Sequence, residues 1–563
     1  MRQPCLRALV LLIGSGCIVS CGGIDAGPTE MPEYVSQAPT SASSSNGTEQ
    51  TTGGGLLVDG TALPTAQGTT DKTTAAPVVP GGRVADVQEA DVYRIQNGKL
   101  YLLNTYRGFL VYDITDSKKP VRLAHLPVYG YPVEMFVENN TVYALLSDAL
   151  YLTQINGKLQ FQRRNSSQIV TIDISDPANP KLLQAQDLAG QLREGVSRKI
   201  ENSIYVVSYQ PTGYWYYGWG PQNGQVPDEA AWVYSFDASI PSNLKQVGQL
   251  QVFQGSRTDS SDPTTGESHG RYSNGVTLSA TSNAIMVVQN WYTYDSVPPV
   301  PTSRADGGVV SSGCWSYKSD QESVVSVVDV SNPTGIIRVA ATFNTEGSLG
   351  DQFKQTYVYD AAANTGTYLG IFARNSWSSD GCNYTQQTQN TLEAWDITGD
   401  GTGRQLSSVD FGKPNETVRG SYFDVDRKVA FAITARSMDP MYAIGFADRN
   451  QLKILSAIDG LSGDMDLFRP VENGQYLMAV GRDNGTACAS YVQGADAGTS
   501  WNNQISVSLI DVRDLSKIRL VQRKCLDIAN AGWVSSEVTW NLDQAHKMIG
   551  LQSDGTTSVL TVP

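Results

Sequence analysis

Residues 169–180 read IVTIDISDPANP, and the same grammar returns along the chain. It appears as FLVYDITDSKKP at 109–120, WVYSFDASIPSN at 232–243, VVSVVDVSNPTG at 324–335, LEAWDITGDGTG at 392–403 and VSLIDVRDLSK at 507–517. Val, Ile, Tyr and Trp dominate before the Asp, as a pleated, half-buried strand demands. The Asp itself (113, 173, 237, 329, 396, 511) can accept hydrogen bonds from backbone amides two residues on. The Pro or Asn that follows pre-sets a turn. A degenerate copy, PMYAIGFADRN at 440–450, carries Gly445 where the Asp is expected.

Each such run is the third strand of a unit of four short strands. Full units start near 86, 131, 191, 270, 351, 417 and 464. A partial one follows: SSEVTWNLDQ (535–544), KMIGLQS (547–553) and TSVLTVP (557–563). A four-stranded sheet cannot bury both faces alone, whereas units stacked around an axis can. The fold class expected is therefore all-β, a β-propeller of four-stranded antiparallel blades, eight in number with seven as the alternative. In the eight-bladed form AAPVVP (75–80) completes the remnant and closes the ring. A pair of β-sandwiches is the rival; regular four-strand units with aspartate turns argue against it.

The unit FLVYDITDSKKPVRLAHL resembles the LVIVD-type propeller repeat. The stretch 417–483, from TVRGSYFDVDRKVAFAITARSMDPMYAIGFADRN to LFRPVENGQYLMAVGRD, resembles the secreted bacterial β-propeller family distantly related to WD40 repeats. That family opens on a Val-x-Glu-Ala-Asp element, matched here by Val87-Gln88-Glu89-Ala90-Asp91. The resemblance spans roughly 86–563 and implies fold and export, but no reaction. The chain departs from the family pattern at Arg469, where a His often precedes the Pro, and at Thr539-Trp540-Asn541, where Asp-His-Lys is common.

Before the repeat lie two segments of different chemistry. Residues 1–20 read as a lipoprotein signal peptide: Arg2 and Arg7 precede the apolar run 8–19, too short for an ordinary membrane span. The run ends Ile18-Val19-Ser20-Cys21, which resembles a lipobox with Cys21 as the lipidated residue. Gly22 rather than Asp follows, which points to the outer membrane of a Gram-negative bacterium; the side of that membrane stays open. Residues 21–85, rich in Ser, Thr, Gly and Pro, read as a tether. Residues 86–563 form the propeller domain. Contact with the membrane is expected through the lipid alone.

Four cysteines remain after the signal and Cys21, namely Cys314, Cys382, Cys488 and Cys525. An even number in an exported chain reads as two disulfides. Strand order pairs Cys314 with Cys382, in equivalent loops of adjacent blades, and Cys488 with Cys525, which reach one face of one blade. The other pairings would cross two or three blades, beyond the reach of a disulfide.

Little in the composition suggests chemistry. With 55 Asp+Glu against 41 Lys+Arg the net charge is −14, so the basic stripe that nucleic acid requires is missing and no nucleic-acid partner is expected. The three histidines, His125, His269 and His546, fall in different units without ligand spacing, and no catalytic motif accompanies them. Asp396-Ile-Thr-Gly-Asp400 lacks the acidic ligands of a calcium loop and reads as a glycine-rich turn. No catalytic residue, metal or cofactor is assigned. The loops between second and third strands, by contrast, are long and aromatic. They carry Tyr214, Trp215, Tyr217 and Trp219 in the third unit, Trp291 and Trp315 in the fourth, Trp377 in the fifth and Trp501 in the seventh. Alternating strand direction places them all on one face, where rigid aromatic area suits a glycan or protein ligand. Mutual packing as a lid is the competing use. The expected function is a cell-envelope binding scaffold with ligand unknown; a polysaccharide hydrolase or lyase working in the channel, with paired carboxylates, is the alternative.

Overall fold

The computed structural model describes residues 78–561 with interruptions, of which 211–228, 484–503 and 526–544 are the longest, together with residues 10–11. The first unit pairs Tyr93–Gln96, Lys99–Asn104, Gly108–Asp113 and Val121–Leu126 in sequence order, antiparallel throughout. Six more units repeat this order, opening at Tyr131–Glu138, Ser197–Ile200, Ser268–Ala280, Gln355–Asp360, Thr417–Asp424 and Asp464–Val471. The architecture is the expected all-β propeller of four-stranded antiparallel sheets.

The repeated Asp does what its spacing suggests. The amide two residues on donates to Asp113 (2.9 Å), Asp173 (2.8 Å), Asp237 (2.9 Å), Asp329 (2.9 Å) and Asp511 (3.2 Å). Asp396 differs: its carboxylate is taken by Arg404 (3.1 Å) and Arg449 (2.7 Å), and the turn is closed instead by Asp400, which accepts from the Thr402 amide at 2.9 Å. In the degenerate unit the Leu455 side chain lies 3.0 Å from where a Cβ on Gly445 would stand, so leucine fills the missing carboxylate's place. A second regularity was invisible in the sequence. Every third-to-fourth strand pairing slips register one or two residues before the Asp position, from Val111/Tyr112 in the first unit to Leu509/Ile510 in the seventh. A bulge at a fixed place sharpens the local twist.

The core is a series of layers between neighbouring sheets. Leu103 and Val111 of the first unit meet Leu146 and Ile172 of the second. Leu145 and Ile169 then meet Ile204 and Tyr234 of the third. Tyr205 and Val233 meet Ile285 and Val328, Met286 and Val327 meet Tyr368 and Trp395, Leu369 and Leu392 meet Ala430 and Ile444, and Phe431 and Ile433 meet Leu477 and Ile510. Each sheet from the second unit to the seventh thus packs apolar residues on both sides, which is why four short strands per unit suffice. Hydroxyl and amide groups stitch several outer edges to the next unit's turn, as when Ser407 Oγ donates to Arg449 O (2.8 Å) and Ser456 Oγ to Leu515 O (2.7 Å).

The terminal strands depart from expectation. Residues 78–80 of AAPVVP form no strand. Val78 O accepts from Arg338 Nη2 (2.5 Å) and Pro80 O from Tyr357 Oη (2.7 Å), so they lie across turns of the fourth and fifth units. Gly399 (φ +75°) permits this, because a Cβ there would stand 2.1 Å from Val78 O. Pro80 has no N–H to give a ladder, and Gly82 turns the chain at φ +84°. The next segment is a strand instead: Val87–Glu89 pairs antiparallel with Ser197–Ile200 inside the third unit. The described part of the C-terminal remnant is the short helix Ala545–Met548, where KMIGLQS was expected to open as strand, and the hairpin Gly550–Ser553 and Ser558–Thr561, with Val10–Leu11 alongside it in parallel. Ile549 and Leu560 join Leu467, Val480 and Val507 of the seventh unit in one apolar cluster. Residues 535–544 lie outside the described residues.

Candidate functional site

Strand direction defines two faces. The upper one carries the connections between second and third strands and between successive units; the lower one carries the remaining turns. Five aromatic side chains are exposed among the described residues, Tyr106, Tyr129, Tyr131, Trp315 and Tyr384, and all lie on the upper face. Tyr106, Tyr129 and Tyr131, beside the first two units, were not singled out in the sequence, because single tyrosines in short connections make no pattern.

The upper face is dominated by two long hairpins. The middle strands of the fourth unit, Ala284–Val297 and Ser316–Asp329, and of the fifth, Thr365–Asp380 and Asn383–Ile397, run 14, 14, 16 and 15 residues. Their outer ends project beyond the layered core as two arms. The arms are joined, because Tyr317, Lys318 and Ser319 pair with Ser379, Ser378 and Trp377 across the units.

Register decides which side chains share a side of this joined sheet, since directly paired residues point the same way and alternate residues repeat. Tyr272, Tyr292, Tyr294, Tyr317 and Gln321 share one side on the first arm. Through Ser319 opposite Trp377, that side continues onto Asn375, Trp377, Tyr384, Gln386 and Thr388. The rings touch: Tyr272 and Tyr292 are 5.0 Å apart, Tyr294 and Tyr317 stack at 6.3 Å, and Trp377 meets Tyr384 edge-on at 5.3 Å. The amides are tethered too. Asn375 Nδ2 donates to Gln321 Oε1 (2.9 Å), Ser348 Oγ donates to the same oxygen (2.8 Å), and Thr388 Oγ1 donates to Asn375 Oδ1 (2.7 Å).

At the root of the arms lies a cleft of about 900 Å³, lined by Gln321, Glu322, Glu346, Arg374, Asn375, Gln386, Thr388 and Asn415 among others. Its charged groups are matched within the arms. Glu322 takes Arg271 at 2.6 Å, Glu346 takes Arg374 at 3.6 Å, and Asp320 takes Lys318 at 2.9 Å. Arg374 also donates to buried Glu393 (3.1 Å), whose other oxygen accepts from Thr345 and Trp395.

The aromatic residues expected here meet different fates. Trp315 is exposed, and Trp377 is half-buried in the arm face. Trp291 is only 1% exposed: it points to the other side of its strand, packs on Phe253 at 5.3 Å and lies under the Arg271 guanidinium at 3.9 Å. It is a core residue and leaves the candidate set. Tyr214, Trp215, Tyr217, Trp219 and Trp501 lie outside the described residues, as do Cys21, Cys314, Cys382 and Cys488; Cys525 ends the strand Arg519–Cys525. His269 sits against Asp295 at 2.7 Å on the arm, and His125 is exposed on an outer strand.

The third histidine marks a feature the sequence did not disclose. The N-terminal segment enters from the lower face, where Arg83 is pinned by Tyr205 Oη (3.0 Å), Val330 O (2.8 Å), Ile200 O (2.8 Å) and Glu201 (2.9 Å). It then runs along the inner strand of the third unit to Glu89 and Ala90. There it meets the short C-terminal helix Ala545–Met548: Lys547 Nζ donates to Ala90 O (2.6 Å), and His546 Nε2 lies 2.5 Å from Glu89 Oε2. Arg198 approaches Glu89 at 3.5 Å and donates to Gln352 at 2.5 Å, while Phe353 meets the His546 ring edge-on at 5.0 Å. Burial opposes ionisation of Glu89, yet Arg198, His546 and Lys547 hold it well below the usual carboxylate range. Glu134, equally buried, is pushed up by its burial despite Lys547 and Arg198 nearby. The inner strands are thus bridged by the protein's own chain and an ion-paired cluster.

A sequence model described as a beta propeller domain matches residues 82–549. No curated protein matches the chain. Among solved structures, the chain is similar to a protein from Lactobacillus plantarum (11% identity, 78% of this chain and 94% of that one, TM-score 0.30). It is also similar to a putative 6-phosphogluconolactonase from Bacteroides fragilis (10%, 78% and 98%, 0.28) and to the WD40 repeats of RRP9 (11%, 72% and 91%, 0.24).

Proposed function

Because the chain belongs to the beta propeller domain family, we propose that it is a binding scaffold of the bacterial cell envelope, tethered by lipid at Cys21 to the outer membrane, with its upper face as the recognition surface. The observation that carries this reading is that, among the described residues, all five exposed aromatic side chains lie on that face. Aromatic rings present large rigid area at small entropic cost, and they concentrate where ligands dock. Residues 78–83 lie at the opposite face, so the described start of the domain leaves the upper face clear. The alternative, a hydrolase working in the channel, is disfavoured by the chain that threads it and by the ion-paired cluster around Glu89. The disulfides Cys314–Cys382 and Cys488–Cys525 belong to the same proposal, as staples of the upper-face loops.

A photo-crosslinking residue tests this in the native envelope. Placed at Tyr384, on the upper face, it forms adducts; placed at Ile336, exposed on a lower turn, it does not. Adducts from Ile336 alone, or release of soluble oligosaccharide from envelope polysaccharide by the purified chain, overturn the proposal.

A further inference from the structure

We infer that the joined arms of the fourth and fifth units form a binding site for a neutral polysaccharide chain; this rests on the upper-face reading above and names its ligand class. The first ground is the shared side of the arm sheet, which sets rings beside amides. Trp377 lies directly opposite Gln386, and Asn375 opposite Thr388, on one continuous ladder. Sugars offer an apolar C–H face and a rim of hydroxyls, and such a surface meets both: rings pack on the face, while amides and hydroxyls exchange hydrogen bonds with the rim.

Order is the second ground. Gln321, Asn375 and Thr388 are held by one another within 2.9 Å, so little side-chain freedom remains to be lost on binding. Tyr384 is 60% exposed, yet its ring is braced by Trp377. The third ground is charge. Glu322 and Glu346 stand directly opposite each other at the cleft and are matched by Arg271 and Arg374. Asp320 beside them is matched by Lys318, so these cations are already taken by carboxylates and the cleft favours a ligand without charge. The cleft's volume, about 900 Å³, suits a ligand of several rings. The arms themselves supply the fourth ground: beyond Trp291, their described outer ends place no residue in the apolar clusters between units, so those layers do not account for the arms' length.

The test is titration of the full chain against immobilised neutral glucans, mannans and galactans, with uronate-containing and sulfated polysaccharides in parallel. A neutral polymer binds, and Trp377→Ala weakens it about tenfold or more. Gln386→Ala, an exposed change that leaves the thermal midpoint in place, weakens it several-fold. Unchanged affinity in both variants, or preference for the anionic polymers, overturns the inference. The two readings fail separately. If Trp215→Ala with Trp219→Ala abolishes glycan binding while Trp377→Ala does not, this site falls and the upper face stands. If no polysaccharide binds but crosslinks from position 384 still form, the ligand class falls alone.

Discussion

Glu89 sits among Arg198, His546 and Lys547 with all four side chains largely out of water. Removing one member of such a cluster leaves charge buried without compensation, which costs more than the pair itself contributes. Glu89→Gln is therefore expected to lower unfolding free energy by about 3–5 kcal/mol, read by chemical denaturation. The pH dependence has a defined sign. The folded pKa of Glu89 lies below its unfolded value, so its stabilisation is full above about pH 4.3 and is lost as pH falls towards the folded value. The acid slope of stability should flatten in the Gln variant; an unchanged slope would show that Glu89 is not ionised in the folded protein. Trp291 supports a second expectation. Its ring is packed by Phe253 and Arg271, so Trp291→Ala should cost about 3–5 kcal/mol, whereas Trp315→Ala, with the ring exposed, should change stability by about 0.5 kcal/mol or less. Sequence alone made these two tryptophans alike. What separates them is strand parity, since Trp291 and Tyr292 point to opposite sides of one strand.

At the scale of elements, the third strands were legible because their function is local. An Asp closing its own turn needs only residues within two positions, and five of the six do so by backbone amide. The arms were not legible as strands. Tyr292-Thr-Tyr-Asp295 alternates ring and polar residue, which is strand grammar, but the length of the intervening chain made it read as loop. The threading of 83–91 could not be foreseen either, because Arg83 is held by residues more than a hundred positions away. The arm ladder yields a covalent prediction. Tyr317 pairs with Ser379, three residues in sequence from positions 314 and 382 respectively. Non-reducing peptide mapping is expected to return a Cys314–Cys382 peptide and a Cys488–Cys525 peptide; Cys314 joined to Cys488 would contradict the register.

At the scale of the molecule, the chain enters by the lower face, threads the inner strand of the third unit, winds through the four-stranded units and returns to meet its own start at Glu89. The lipid proposed on Cys21 would hold the domain through the tether that joins it at residue 78, on the lower face, without fixing the direction of the arms. Labelled palmitate should enter the wild-type chain and not Cys21→Ala; equal labelling would remove the anchor from the account. The central claim concerns where a ligand sits, and hydrogen exchange of the full chain reads that directly. With a bound neutral polysaccharide, amides of 315–321 and 375–388 should gain protection, while the lower turn 398–402 and the threaded segment 83–91 should be unchanged. Protection confined to the lower turn or to the threaded segment would contradict the account.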